Sequence, residues 1–226
     1  MEDTPKETAV QPILIIVLAT AAGVPLGLWL RRNLSTLGYR NVDEVDLPAP
    51  RPRSWVVWAS CFAIGGLAAA AGLSRNPLVY LPLLPLAVAG PWLAAVDFDV
   101  FRIPNRVLVP TAAATLLIVA GVAAETRDWR TLIVSVVTAL PAGAVFAAVH
   151  VVTKGGIGFG DVKLAVVVGF AVGPLGAGAA WLGILTGSVA ALVWAKATHT
   201  VGPIPLGPWL LFGVWIAVLA RTAVSG

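Results

Sequence analysis

The sequence predicts an all-α polytopic membrane protein of about eight transmembrane helices with both termini extracytoplasmic, and three observations carry that reading. Hydrophobic residues make up 58% of the 226 and charged ones only 12%, and the mean hydropathy of +0.90 lies above that of soluble domains. Apolar stretches long enough to cross about 30 Å of hydrocarbon as helices, roughly 17 to 25 residues each, recur along the whole chain. The basic residues collect in short loops on alternate sides of those stretches, which is how membrane orientation is encoded.

The length criterion places spans at approximately 11–30, 55–73, 77–96, 107–124, 131–152, 162–175, 177–196 and 206–223. The first follows an acidic head, Glu2, Asp3 and Glu7, and ends at Arg31-Arg32 without a small-residue cleavage site. It therefore reads as a retained helix rather than a signal peptide. Residues 31–54, with Asp43, Glu44, Asp46 and the run Leu47-Pro48-Ala49-Pro50-Arg51-Pro52-Arg53, are too few to bury a core and read as an irregular connector. Span two contains the lone Cys61, span three closes on Asp97-Phe98-Asp99, and span five ends near His150. Span six opens after Gly158-Phe159-Gly160-Asp161 but meets Gly173-Pro174 after barely a dozen apolar residues, so a short or re-entrant segment and a seven-span count stay open. Spans seven and eight complete the set. The division is thus residues 1–54, a first helix with its connector, and 55–226, a helical membrane domain.

With eight spans, one side collects Arg31, Arg32, Arg40, Arg51, Arg53, Arg102, Arg106, Lys154, Lys163 and Lys196. Lys6, Arg75, Arg127, Arg130 and Arg221 fall on the other. The richer side is cytoplasmic, which puts both termini outside and Asp97, Asp99 and Asp161 on the cytoplasmic face.

A net charge of +4 and a pI near 9.7 suit nucleic acid in principle, but the scattering of the basic residues through short loops excludes a nucleic-acid surface. One cysteine supports neither a disulfide framework nor a thiolate zinc site within one chain. No repeated halves with broken helices, the usual mark of a carrier, are evident, and the 23 glycines leave room for close helix packing.

Eight of the eleven acidic residues lie in the tail or in loops, where water solvates them. Asp97, Asp99 and Asp161 remain, at the edge of the apolar phase, where an ionised carboxylate is costly: about 2.5 to 3.5 kcal/mol for an Asp at a helix centre. Two carboxylates sharing a water form an acid/base pair, in which one deprotonates the water and the other, kept protonated by like-charge repulsion and partial desolvation, polarises a carbonyl. Gly158 and Gly160 allow backbone angles and a close peptide approach beside Asp161 that side chains forbid. Lys163 is placed to meet lipid phosphate or to tune the local field. A Gly-x-Gly pair alone fits an ordinary interhelical loop equally well.

Three separated pieces resemble the type IV prepilin peptidases, an intramembrane aspartyl protease family marked by a Gly-x-Gly-Asp motif. Asp97, with Ile103-Pro104-Asn105 trailing it, resembles the family's first catalytic aspartate segment. Gly155-Gly156-Ile157-Gly158-Phe159-Gly160-Asp161-Val162-Lys163-Leu164 resembles the second, and Ile204-Pro205-Leu206-Gly207-Pro208 is similar to the segment that opens the last helix, with Leu206 where Phe is more frequent. The resemblance implies a leader peptidase that cuts the basic leader from prepilins or pseudopilins of type IV pilus or type II secretion systems, at the cytoplasmic face of the inner membrane. Asp97 and Asp161 are the catalytic pair it implies, with Gly158, Gly160, Lys163, Pro104 and Asn105 in support and no metal or other cofactor. Asp99 is the rival for the first role, but stands two residues too near Pro104 for the family spacing. Larger members carry two Cys-x-x-Cys pairs between the first two spans and also methylate the new N-terminus. The connector here holds no cysteine, so the zinc site is absent and the expectation is a peptidase without methyltransferase activity. Gly27-Leu28-Trp29-Leu30-Arg31-Arg32-Asn33-Leu34 matches the family's first helix end only loosely.

His150 reads as a hydrogen-bonded helix-end residue that neighbours Asp161 in an alternative, and His199 as exposed. The nine tryptophans, Trp55, Trp58, Trp92, Trp129, Trp181 and Trp209 among them, read as interfacial anchors. Arg102 and Asn105 are candidates to bind leader or lipid. Two rival functions fit the same acids: a small ion or solute carrier, which needs them near mid-membrane, and a noncatalytic pilus or secretion scaffold.

Overall fold

A computed structural model describes residues 5–199 and 204–225; the side chains of residues 5–10, 12 and 225 lie outside that description, as do Glu2 and Asp3 of the acidic head. Among the described residues the regular structure is entirely helical. The α-helices are α1 Pro5–Ser35, α2 Trp55–Leu73, α3 Leu84–Val100, α4 Asn105–Thr126, α5 Arg130–Val152, α6 Phe159–Val172, α7 Ala177–Ala197 and α8 Gly207–Ser225. Seven helical segments, all but α6, are long and apolar enough to cross a membrane, and the protein is a multi-pass membrane protein. At 14 residues α6 rises only about 21 Å. Gly173–Leu175 tightens into a 3₁₀ turn where the sequence reading places the end of span six. The third span begins differently from the uniform helix expected: Pro77–Leu83, interrupted by Pro82, winds as a 3₁₀ segment before α3 takes over.

The chain packs as neighbouring hairpins, α1 on α2, α5 on α6 and α7 on α8, with α3 contacting α2, α4 and α8. Lipid offers no hydrophobic drive between helices, so small residues must let backbones close up. At the α7–α8 crossing a Cβ on Gly213 would stand 2.1 Å from the Gly183 carbonyl oxygen, and at the α1–α2 crossing one on Gly23 would stand 2.4 Å from Cα of Cys61. α3 is the most enclosed span and α1 the least. Leu117, Trp58 and Leu192 stand on an apolar exterior suited to acyl chains.

Four helix ends meet at one end of this bundle. α3 stops because Phe101 turns into the left-handed region (φ 51°) while its N–H still bonds to the Asp97 carbonyl. Pro104 then caps α4 in an extended conformation. Gly158 caps the start of α6, and α8 begins at Gly207 with Pro208 in its first turn.

Candidate active site

Asp97 occupies the last turn of α3 and Asp161 the first turn of α6, and both are buried, at 2% and 5% exposure. Each is held by a backbone donor. The Gly207 N–H donates to Asp97 Oδ2 at 2.9 Å, and the Gly158 N–H to Asp161 Oδ2 at 3.1 Å. The second contact is half of a capping box, in which the third helical residue's carboxylate satisfies an N–H at the helix start. The α6 N-terminus also faces its carboxylate with the positive end of the helix dipole. Both helix starts that hold them lie against Ile103 of the α3–α4 loop, Gly207 beside Asp97 and Gly160 beside Asp161. Oδ1 of Asp161 is buried without a hydrogen-bond partner among the described residues, and such a group carries a desolvation cost of about 1 to 3 kcal/mol.

Buried Ile103 is the spacer that brings these ends together. A Cβ on Gly160 would meet the Ile103 Cβ and backbone N at 3.1 Å, and a Cβ on Gly207 would meet Asp97 Oδ2 at 3.0 Å and the Ile103 Cδ1 at 3.2 Å. At both glycines the contact is tight, and α6 and α8 close on the α3–α4 loop from two sides. The Lys163 ammonium donates to the Asn105 Oδ1 at 3.0 Å and sits 5.1 Å over the Phe159 ring, joining the first turns of α4 and α6. The structure thus gives Lys163 a protein partner, where the sequence left lipid phosphate and tuning of the local field open.

Asp99 faces away from this pair. Its Oδ1 meets the Arg40 Nη2 at 2.9 Å, its Oδ2 the Arg40 Nε at 3.0 Å and the Arg53 Nη2 at 3.2 Å, and Tyr39 donates its hydroxyl to the same carboxylate. Asp99 is an ion-pair residue here and not a member of the carboxylate pair. The connector, expected to be irregular, is irregular apart from a 3₁₀ turn at Val42–Glu44, yet it is docked. Glu44, expected to be solvated, instead accepts from Arg102 at 2.5 and 2.7 Å, while Arg102 and Arg106 also donate to the Tyr39 and Gly38 carbonyls. Arg102 therefore binds the chain's own connector. Neither set of partners is local in sequence, so composition and spacing carried no sign of them.

His150 holds the loop before α6, its Nδ1 2.6 Å from the Ile157 carbonyl oxygen, as a helix-end hydrogen-bonded residue should. His199 is exposed. Trp58 and Trp129 are exposed as interfacial anchors would be, but Trp92 is buried at 4% and donates to the Asn33 Oδ1 at 2.9 Å, so it belongs to the α1–α3 packing instead. Cys61 is a buried free thiol.

On the Asp99 side of the α3 end lies a cavity of about 790 Å³, walled by the connector's prolines and by Trp55, Phe98, Asp99 and Pro205. An apolar groove of about 230 Å³ between α2, α3 and α8 shares Trp55 and Phe98 with it and reaches Pro208.

A helical membrane bundle with two buried carboxylates at one end defines a candidate intramembrane site. Residues 84–196, half of the chain, match the family model of the type IV leader peptidase family, and the protein belongs to that family. It is also similar to the prepilin leader peptidase/N-methyltransferase of Bacillus subtilis (strain 168), with 31% identity over 176 residues, 74% of this chain and 65% of the relative. The chain thus spans slightly less than two thirds of that relative's length. No solved structure matches the chain.

Proposed function

We propose that this protein is an aspartyl leader peptidase that cleaves prepilins or pseudopilins at the cytoplasmic face of the inner membrane, with Asp97 and Asp161 activating water. The observation that carries the reading is the convergence of two buried carboxylates from α3 and α6, each anchored by one backbone N–H, inside the segment that matches the leader peptidase family.

The chemistry follows from one proton shared between two carboxyl groups in an apolar site. The ionised member takes a proton from water as it attacks the scissile carbonyl. The protonated member donates its proton to the developing oxyanion; as the intermediate collapses, the member that took the water proton passes it to the departing amine and the oxyanion's proton returns to its donor. No covalent acyl-enzyme forms, and no metal or cofactor is called for. The Gly207 and Gly158 amides fix the orientation of each carboxylate, and the free Asp161 Oδ1 is the atom aimed at water or substrate. The apolar groove leading to Pro208 suits the hydrophobic helix that follows the cut. The cysteine-free connector supports a peptidase without methyltransferase activity.

The test is to incubate the purified protein, in micelles containing a chelator, with a prepilin peptide bearing a basic leader and an apolar segment. A single cut just before the apolar segment is expected, with no methyl transfer from a methyl donor. An intact peptide would point to the scaffold or carrier readings.

A further inference from the structure

We propose that Asp99 is a positioning residue: through Arg40, Arg53 and Tyr39 it clamps the end of α3 to the α1–α2 connector, and this fixes the direction of Asp97. The proposal rests on the reading of Asp97 as a catalytic carboxylate given above. On a helix, side chains two positions apart diverge by roughly 200°, so one helix end presents Asp97 to the Gly207 amide and Asp99 to the connector on the opposite side. The last turn is held from both sides.

The Asp99 side is enclosed as well as charged. The side chains of Asp99, Arg40 and Arg53 are only 7%, 3% and 9% exposed. Arg40 takes the carboxylate with two prongs, Nε and Nη2, and spends its remaining donors on the Leu47 and Pro48 carbonyls at 2.9 and 2.8 Å. Arg53 reaches the Leu34 carbonyl near the end of α1 at 2.9 Å and lies over the Tyr39 ring, whose centroid is 5.2 Å away. Tyr39 in turn stands edge-on to Trp92 of α3. One carboxylate therefore gathers the end of α1, the proline-rich part of the connector and the end of α3. A planar fork is needed for such two-pronged pairing, so lysine is a poor substitute for Arg40.

Helix ends fray, and a displacement of about 1 Å can cost on the order of 100-fold in rate. The clamp stands two residues from Asp97, where such a displacement begins. Its effect is on the chemical step and not on substrate binding.

The experiment measures kcat and KM on a prepilin peptide, per folded enzyme, for Asp99→Asn, Arg40→Gln, Arg40→Lys and the double variant Asp99→Asn/Arg40→Gln. Leu175→Ala, a core substitution in the 3₁₀ turn that follows α6, serves as the control for lost stability alone. The clamp predicts a kcat reduction of about 10-fold or more for Asp99→Asn and Arg40→Gln with KM within about 3-fold, and a smaller loss for Arg40→Lys. It also predicts a double variant no slower than the worse single, because both break one unit. Arg40→Lys keeps the test open where Asp99→Asn fails to fold. The proposal is overturned where kcat stays within twofold of the parent, where the two losses multiply, or where Leu175→Ala at an equal loss of Tm slows the enzyme as much. Asp97→Asn run alongside separates the two levels: a parental rate in that variant removes the catalytic reading, whereas a dead Asp97→Asn with an unaffected Asp99→Asn removes only the clamp.

Discussion

The amide of Gly207, the first residue of α8, donates to Oδ2 of Asp97 in the last turn of α3 at 2.9 Å, so two helix ends 110 positions apart share one hydrogen bond at a buried carboxylate. A methyl group on Gly207 would stand 3.0 Å from that oxygen and 3.2 Å from Ile103. Gly207→Ala shifts the Asp97 carboxylate by a few tenths of an ångström, and the expected outcome is a cleavage rate lower by about 10-fold or more. The check is cleavage of a prepilin peptide at matched amounts of folded protein.

Gly160 and Gly121 make opposite predictions for the same substitution. A Cβ at Gly160 would meet the backbone of Ile103 at 3.1 Å, and backbone cannot rotate aside, whereas nothing lies within 4 Å of a Cβ at Gly121. Gly160→Ala is expected to cost about 1 to 3 kcal/mol by overpacking and to open the carboxylate pair. Gly121→Ala, in the interior of α4, should leave activity unchanged and hold or raise Tm, since alanine is the better helix former by about 0.5 to 1 kcal/mol. Thermal unfolding in detergent and peptide cleavage, measured on both, decide it.

The connector's hold on the site end has a pH signature. The Arg102 hydrogen bond holds the Glu44 carboxyl below its ordinary value of 4.5. A carboxyl depressed in the folded state stabilises it above the unfolded value and loses that contribution as pH falls through the lower, folded one. Proteolysis within residues 36–53 should therefore accelerate below about pH 4.5, and Glu44→Gln should show the faster cleavage already at neutral pH. A Glu44→Gln protein with the parental rate at neutral pH contradicts the anchoring role.

Charge placement predicts that the carboxylate end of the bundle is cytoplasmic. Reporter fusions test this: a reporter active only outside the cytoplasm is expected to work when joined after residue 226 and to be silent when inserted at 154–156. The reverse pattern overturns the orientation.

Much of this arrangement is legible in the chain. Span lengths place the helices because a bilayer imposes a length on every crossing segment, and the apolar run cut short at Gly173-Pro174 signals that α6 is short. Asp97 and Asp161 stand out because a carboxylate in apolar surroundings is rare and costly, and charge in the loops predicts that they share a face. The partners of Asp99 and Arg102 are hidden, since they come from a connector about 60 positions away and no periodicity or spacing links them. The burial of Trp92 is hidden for the same reason, because its partner Asn33 lies 59 positions off. What failed was the general reading of loop acids as solvated and tryptophans as interfacial. Both are averages, and tertiary contacts override them at Glu44 and Trp92.

The central claim, that Asp97 and Asp161 act as one catalytic pair, is tested most directly by the kcat of Asp97→Asn, Asp161→Asn and the double variant on a prepilin peptide, with membrane abundance held equal. Each single change is expected to lower kcat by about 100- to 10,000-fold, and the double variant to be no worse than the singles because the two groups work as a unit. Either single variant cleaving at the parental rate contradicts the account.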